Sequence, residues 1–351
     1  MKSHHNLHSI ASVACDSVSA PNHIIPPHVA SRRAACSNAM LGSAMLVFGL
    51  LTGTARAELL IYEGFNGYVD GTLRGQTVST HSIGLRAESA WGSSNSNATT
   101  GINIQSTGLT FSNLAVSGGS AFQKSSSGTH SGAYLSDSLA TYSGTLYGSY
   151  LIQFSTSPST DKTPYAIVDI AASPTDVTTR RFASAADNSG SSNNTLAVGY
   201  DGPAANATNS SISLPAGATY IVLARFTNVG VQLDADTTGM ATQWVLSETQ
   251  FDYFKATSFA GLETATIGSG TTNVICTVSD DAVTSGTYSL TGALQLSMNA
   301  NSSSRTFTID EIRFGTSLND VTPLVPEPRT MALLIGCAAT AFVCLRRFGF
   351  R

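Results

Sequence analysis

Hydrophobic and polar residues alternate in short runs through the middle of the chain. In Thr145–Phe154, the side chains of Leu146, Tyr150, Ile152 and Phe154 fall on one face of an extended strand. Runs of the same kind, each predicted to be a strand, are Tyr165–Ile170, Thr195–Tyr200, Tyr220–Phe226, Val229–Leu233, Thr242–Leu246, Asn273–Val278, Ala293–Met298 and Thr306–Phe314.

Turn-forming residues separate these runs, as in Asp201-Gly202-Pro203 and Pro215-Ala216-Gly217. No long segment has the 3.6-residue period of an amphipathic helix, and the one helical candidate, Ser247–Thr257, is interpreted as a loop with one turn. No repeat of fixed period is present. The pattern predicts an all-β sandwich in which residues 58–324 form a single jelly-roll domain.

The first 57 residues have the layout of an export signal. Arg32-Arg33 precedes an apolar run, Ala39–Leu51, and the small-x-small sequence Ala55-Arg56-Ala57 follows. This order predicts a signal peptide of the general secretory route that is cleaved after Ala57. Because the leader is long, Met40 is an alternative start to Met1. The histidines of the leader lie in a segment that is expected to be removed, which argues against a metal site there.

The last 27 residues, 325–351, combine a motif, an apolar span and a basic end. Val325-Pro326-Glu327-Pro328 precedes sixteen uncharged, mostly apolar residues, Thr330–Leu345, and Arg346 and Arg347 follow. A helix of that length is about 24 Å long, short of the roughly 30 Å hydrocarbon core, but arginines at its ends extend its reach. The positive-inside rule keeps the arginines cytoplasmic, which places residues 58–328 on the exported side.

This order resembles the PEP-CTERM sorting signal of Gram-negative bacteria, through Pro326-Glu327-Pro328, the short hydrophobic helix and Arg346-Arg347. The resemblance implies that exosortase, a membrane protease-transpeptidase, recognises the tail and removes it near the motif. It also implies transient membrane anchoring, and then a place at the cell surface or in the extracellular polysaccharide and biofilm matrix. A permanent C-terminal anchor is the alternative.

The charge of the predicted exported domain differs from that of the whole chain. The chain has a formal net charge of −4, whereas residues 58–324 contain 20 acidic and 10 basic side chains, a net charge of −10. With no basic block, this acidic domain is not expected to bind nucleic acid. Of the five cysteines only Cys276 lies in this domain, so no internal disulfide is expected and Cys276 is interpreted as a buried thiol.

Three segments of the central region have a shared pattern of glycine and aromatic residues: Leu59–Phe65 with the Gly71-Thr72-Leu73 that follows, Gly108-Leu109-Thr110-Phe111, and the terminal Ile309–Ser317. Through these segments the region resembles the concanavalin A-like (laminin G-type) sandwiches found in PEP-CTERM proteins. The resemblance implies that the first and last strands of the domain pair with each other. Fold alone does not imply an activity.

Carboxylates are the candidates for catalysis, because a glycosidase needs two of them flanking the sugar bond. The Glu-x-Asp-x-x-Glu strand motif of the glucanase branch of the resembled fold is absent, and no catalytic residue is assigned. The pairs Asp234/Asp236 and Asp280/Asp281 are interpreted as solvated turn acids. They are also the donors that calcium would use, so calcium stays open as a cofactor.

Asp310-Glu311 interrupts an apolar strand, and the hydrophobic residues change face at this pair. The shift predicts a β-bulge in which one of the two acids pairs with Arg313 or Arg305.

Aromatic rings are the usual contacts of sugar-binding proteins. Trp91 precedes a polar Ser/Asn loop and is the candidate for a sugar contact, whereas Trp244 lies within a strand and is assigned to the core.

These features together predict an exported, exosortase-sorted, non-catalytic protein of the cell surface or matrix that associates with exopolysaccharide. Two alternatives stay open: a polysaccharide-active hydrolase or lyase on the same fold, and a calcium-dependent adhesin.

Overall fold

The computed structural model describes residues 58–93, 101–123, 129–154, 165–175, 180–187, 194–200, 211–212, 214–215, 217–280, 282–299 and 307–325. These residues all belong to one compact unit. The predicted leader, 1–57, and the tail from Pro326 onward lie outside the described residues, as do the signal cleavage site and the predicted C-terminal helix.

Strands dominate the described part of the chain. In chain order they are β1 Leu59–Glu63, β2 Gly71–Thr72, β3 Gly92–Ser93, β4 Asn103–Gln105, β5 Ser120–Gln123, β6 Thr129–Tyr134, β7 Gly144–Phe154, β8 Tyr165–Ala171, β9 Arg180–Asp187, β10 Asn194–Tyr200, β11 Ser211–Ile212, β12 Thr219–Val229, β13 Gln232–Leu233, β14 Ala241–Leu246, β15 Cys276–Ser279, β16 Gly286–Thr287, β17 Ala293–Asn299 and β18 Phe307–Gly315.

Helical structure is confined to short segments in these ranges. They are α1 Glu248–Ala256, α2 Leu318–Val321, and the 3-10 turns Asp137–Thr141 and Leu262–Thr264.

The strands form two large antiparallel sheets and one small one. The larger sheet has the order β15-β14-β12-β7-β18-β5-β4-β2, and β1 pairs with β18 beside β5. The second sheet has the order β11-β10-β9-β8-β17-β6-β3, and β13 pairs with β16. The predicted pairing of the first and last strands is confirmed, with Tyr62 opposite Arg313.

The main core lies between the two large sheets. Tyr150 and Ile152 of β7 and Val222 of β12 point into it from the larger sheet, and Phe182 and Leu294 point into it from the other. The face predicted for β7 is confirmed, because Leu146, Tyr150, Ile152 and Phe154 all belong to this core. The chain therefore folds as an all-β sandwich, as its alternating pattern predicts.

A second hydrophobic cluster covers the outer face of the larger sheet. Leu151, Leu223 and Trp244 point to this side, and they pack against Phe251 and Phe254 of α1. The strands under α1 are consequently buried on both faces, which explains why all six residues of β14 are buried. Trp244 belongs to this cluster, so its assignment to the core is confirmed.

Three predicted elements are wrong in detail. The strand predicted at Asn273–Val278 begins only at Cys276 and ends at Ser279. Ser247–Thr257 is not a loop with one turn, because Glu248–Ala256 is an α-helix that begins with a capping box between Ser247 and Gln250. The predicted strand Val229–Leu233 is interrupted, since β12 ends at Val229 and β13 begins only at Gln232. Gly230, in a left-handed conformation, makes the turn between them.

Candidate functional site

The acidic pair of β18 forms the predicted β-bulge. Opposite β7, Asp310 faces Leu151 and Arg313 faces Ser149, so β18 has one extra residue between these two pairs. Glu311 takes the extra position with a left-handed φ of 55°. The bulge turns both carboxyl groups toward the segment 108–118, which lies across this end of the sheet.

Glu311 is held by an ion pair and hydrogen bonds inside the protein. Its carboxylate pairs with Arg313, and it accepts hydrogen bonds from the Ser117 backbone N–H and from the Tyr62 hydroxyl at 3.1 Å. The Arg313 guanidinium also lies over the Tyr62 ring, 5.2 Å from its centre. Burial raises the pKa of Glu311, and the charge of Arg313 opposes that rise. The predicted pairing with Arg313 is confirmed, while Arg305 lies outside the described residues.

Asp310 is enclosed by backbone donors. One of its oxygens accepts from the Leu109 N–H at 2.8 Å and the other from the Glu311 N–H at 2.7 Å. Burial, and then the nearby charge of Glu311, raise the pKa of Asp310 to about 9. The raised pKa favours the neutral form of Asp310, which leaves Glu311 as the charged partner of Arg313 at the bulge.

A third buried carboxyl group, that of Glu63, ends β1. It accepts hydrogen bonds from the Phe65 backbone N–H at 2.7 Å, the Ser82 hydroxyl at 2.7 Å and the Tyr68 hydroxyl at 2.8 Å. Burial raises the pKa of Glu63 to about 6. The sequence contains a signal for this burial that its interpretation missed, because Glu63 shares a strand face with the buried Ile61.

The prediction that Trp91 contacts sugar is wrong in this structure. The side chain is 1 % exposed and packs near Phe65, with ring centres 6.4 Å apart. Its indole N–H donates to the Tyr68 hydroxyl at 2.9 Å, and that hydroxyl in turn donates to Glu63. Trp91 is therefore a core residue whose one polar atom is satisfied internally.

Tyr68 connects this buried network to a surface cavity of about 590 Å³. The other residues around the cavity, most of them polar or glycine, are Gly67, Val69, Asp70, Thr72, Arg74, Gly75, Gln76 and Thr77. Gln76 braces the loop, because its amide accepts from the Val69 N–H at 2.9 Å and donates to the carbonyl oxygens of Val69 and Thr72. The cavity thus combines an aromatic ring, charged groups and a braced loop, a composition suited to a polar ligand.

The remaining predicted acids divide between surface and interior. Asp234 and Asp236 are exposed, and Asp234 accepts from the backbone N–H groups of Asp236 and Thr237 in a local turn, as predicted. Asp280 is not a solvated turn acid, because it is 5 % exposed and accepts from the Tyr200 N–H. Asp281 lies outside the described residues. Within the ranges that the structure covers, no three His, Cys, Asp or Glu side chains form a metal-binding group.

Cys276 is a buried thiol at the start of β15, as predicted, and it forms no disulfide. Of the predicted sorting residues, Val325 is exposed at the end of the described chain, whereas Pro326, Glu327, Pro328, Arg346 and Arg347 lie outside it. Among the helices described, none is long and apolar enough to cross a membrane.

Comparison with known proteins leaves the family of this chain open. No protein-family model matches the chain, and no curated protein is similar to it. A solved protein of unknown function from Shewanella oneidensis is 12 % identical over 86 % of this chain and 100 % of its own, with a TM-score of 0.36. Lectin II from Ulex europaeus is 9 % identical over 61 % of this chain and 88 % of its own, with a TM-score of 0.33. At these TM-scores neither likeness carries a functional conclusion.

Proposed function

We propose that this chain is an exported, non-catalytic protein of the cell surface or extracellular matrix, sorted by its C-terminal tail. The observation that carries the proposal is the order of the tail: Val325-Pro326-Glu327-Pro328, sixteen uncharged residues, then Arg346-Arg347. The resemblance of this tail to the PEP-CTERM signal supports exosortase as the processing partner. The signal-like order that ends at Ala57 supports export by an independent feature.

The sandwich between these two signals is proposed to be a jelly roll of the concanavalin A-like type. Its two packed antiparallel sheets and the pairing of β1 with β18 support that assignment.

The buried carboxyl groups support a structural role over a catalytic one. A glycosidase needs two carboxyl groups about 5–10 Å apart that both reach the sugar. Here Glu63, Asp310 and Glu311 are each 1 % exposed or less. Each is engaged by backbone N–H groups, hydroxyl groups or Arg313. These hydrogen bonds and the ion pair fix the bulge and the end of β1.

The cavity around Tyr68 is the proposed contact with neutral exopolysaccharide. It has a volume of about 590 Å³ and is wide open to solvent, so a polymer could lie across it. Asp70 and Arg74 can hydrogen-bond sugar hydroxyl groups, while the Tyr68 ring offers an apolar surface. An acidic domain favours a neutral polysaccharide over a polyanion.

Mass spectrometry of the mature protein from its native host tests the sorting proposal. We expect an N-terminus at Glu58 and loss of the tail near Pro326–Pro328, with the tail kept when the sorting protease is deleted. Recovery of the intact tail through Arg351 in membranes of both strains would show a permanent anchor instead.

A sedimentation assay with the host's own exopolysaccharide tests the cavity. We expect the Asp70→Ala and Arg74→Ala variants to remain in the supernatant, because they no longer bind the polysaccharide. Asp236→Ala, which replaces an exposed acid away from the cavity, should still sediment with the polysaccharide. Retention of both cavity variants at the level of the unchanged protein would place any sugar contact elsewhere.

The hydrolase alternative predicts turnover of β-glucans or related polysaccharides. Turnover that disappears in Glu311→Gln or Asp234→Asn would replace the non-catalytic proposal.

A further inference from the structure

The chain between β18 and the sorting motif is attached to the sandwich. After α2, the residues Thr322–Val325, here called the docked segment, run antiparallel to Asn113–Ala115 with a bridge between Leu114 and Leu324. The Ala115 N–H donates to the Pro323 carbonyl oxygen at 2.8 Å, and the Val325 N–H donates to the Asn113 carbonyl oxygen at 3.0 Å. These two bonds hold the backbone as far as the last described residue.

Lys255 of α1 holds the other end of the docked segment. Its ammonium group donates to the Thr322 carbonyl oxygen at 2.7 Å, to the Thr322 hydroxyl at 2.9 Å and to the Asn319 side-chain oxygen at 3.0 Å. The same ammonium lies 5.4 Å from the centre of the Phe259 ring. One half-buried side chain therefore connects the docked segment to the helix that covers the larger sheet.

The layer beneath the docked segment is itself fixed. The Ser149 hydroxyl of β7 donates to the Val321 carbonyl oxygen at 2.5 Å, and Val321 is fully buried. The Arg313 guanidinium donates to the Ala115 carbonyl oxygen, which ties the partner segment to the bulge of β18.

We propose that this docking sets the N-terminal limit of tail removal, so that processing cuts only after Val325. The inference rests on the proposed sorting function. A protease can cleave a folded segment only when the segment opens locally, and its rate then follows the open population. Cutting within Thr322–Val325 requires release of the Lys255 and backbone bonds. Between Val325 and the start of the uncharged span at Thr330, only residues 326–329 remain.

Limited digestion of the purified full chain in detergent with a broad-specificity protease tests the docking without exosortase. The masses of the fragments should place the new C-terminus of the sandwich at or beyond Val325. Lys255→Met keeps the apolar stem but removes the three donated bonds. It should raise cleavage within Thr322–Val325 at least about tenfold, because the loss of even one hydrogen bond from a charged group increases the open population by about that factor. Arg86→Met, which removes an exposed cation paired with Asp137, should be cleaved at the same sites and the same rate as the unchanged protein.

Hydrogen exchange of the unchanged protein is a second test, which does not depend on whether Lys255→Met folds. In the unchanged protein the Ala115 and Val325 amides should exchange at least about tenfold more slowly than unprotected amides. Unprotected exchange at Val325, or cleavage of the unchanged folded protein before Val325, would overturn the docking limit. Neither result depends on exosortase, so failure of the sorting proposal in the host is a separate outcome.

Discussion

Glu311 and Arg313 form a buried ion pair within a single strand, with side chains 0 % and 3 % exposed. The bulge makes this pair possible, because Glu311 takes the extra position and both groups then turn toward Tyr62 and segment 115–117. The pair lies where β1, β18 and the segment that pairs with the docked segment meet.

Arg313→Met should destabilise the sandwich by about 3–5 kcal/mol, because it leaves the Glu311 carboxylate buried without its cation. Urea unfolding measures the loss. The double variant Arg313→Met with Glu311→Gln should recover part of it, since the uncompensated charge is then gone. As a control, Arg86→Met breaks an exposed pair and should cost less than about 1 kcal/mol. If Arg313→Met and Arg86→Met lowered the free energy of unfolding by the same amount, the buried pair would be no more important than an exposed one.

Stability should fall as the pH rises from about 4 to about 9. The folded-state pKa values of Asp310, about 9, and Glu63, about 6, lie above their ordinary values, so the folded state binds more protons than the unfolded state in this window. The stabilisation is complete below the ordinary pKa and is lost as the pH passes the raised one. Each group contributes at most about 1.4 kcal/mol per pH unit.

Urea midpoints measured from pH 4 to pH 9 check this dependence. Asp310→Asn, which keeps a neutral side chain of the same shape, should flatten the profile above pH 6. A midpoint that rises between pH 5 and pH 8 would be the opposite of the expected sign.

Tyr68→Phe should cost about 1–3 kcal/mol, because the Trp91 indole N–H loses its acceptor and the Glu63 carboxylate loses a donor, both in the interior. Thermal or urea unfolding measures the change. Tyr134→Phe, which removes a hydroxyl from an exposed ring, is the matched control and should change stability by less than about 0.5 kcal/mol. Equal losses of stability in Tyr68→Phe and Tyr134→Phe would mean that the hydrogen bonds of the Tyr68 hydroxyl do not stabilise the fold.

Ser247→Ala should cost about 1 kcal/mol by removing the side-chain cap of α1. Because the cap stabilises the first turn of α1, its loss should also increase hydrogen exchange of the helix amides, residues 248–256. Ser138→Ala, in an exposed turn, should leave both measurements unchanged. Unaltered exchange in Ser247→Ala would show that packing of Phe251 and Phe254 alone holds the helix.

Local pattern predicted the strands because a strand points successive side chains to opposite faces, and in β7 this places Leu146, Tyr150, Ile152 and Phe154 together in the main core. The change of phase at Asp310-Glu311 likewise revealed the bulge, since a bulge moves every later side chain to the other face. α1 was missed because its buried residues, Gln250, Phe251 and Phe254, are few and one is polar. The capping pair Ser247 and Gln250 was the available signal.

The burial of Trp91 could not be predicted from its neighbours in sequence. Phe65 and Tyr68, which enclose it, lie in the loop between β1 and β2, and Tyr68 is 23 residues away from Trp91 in the sequence. The cavity beside Tyr68 depends on the same loop, whose shape is set by the hydrogen bonds of Gln76. The burial of Trp91 depends on tertiary contacts, which the alternation of polar and apolar residues along a strand does not predict.

The central place of β18 fixes when this domain can fold. β18 lies between β7 on one side and β5 and β1 on the other, and Glu58 bonds to Thr316 across 258 residues of sequence. In a chain that emerges with its N-terminus first, β1 lacks its partner strand β18 until residues 307–315 arrive. Such non-local pairing is slow, because the closure entropy precedes the contacts. The larger sheet is therefore complete only when nearly the whole domain has been synthesised, and until then the edges of β1 and β7 that pair with β18 are open.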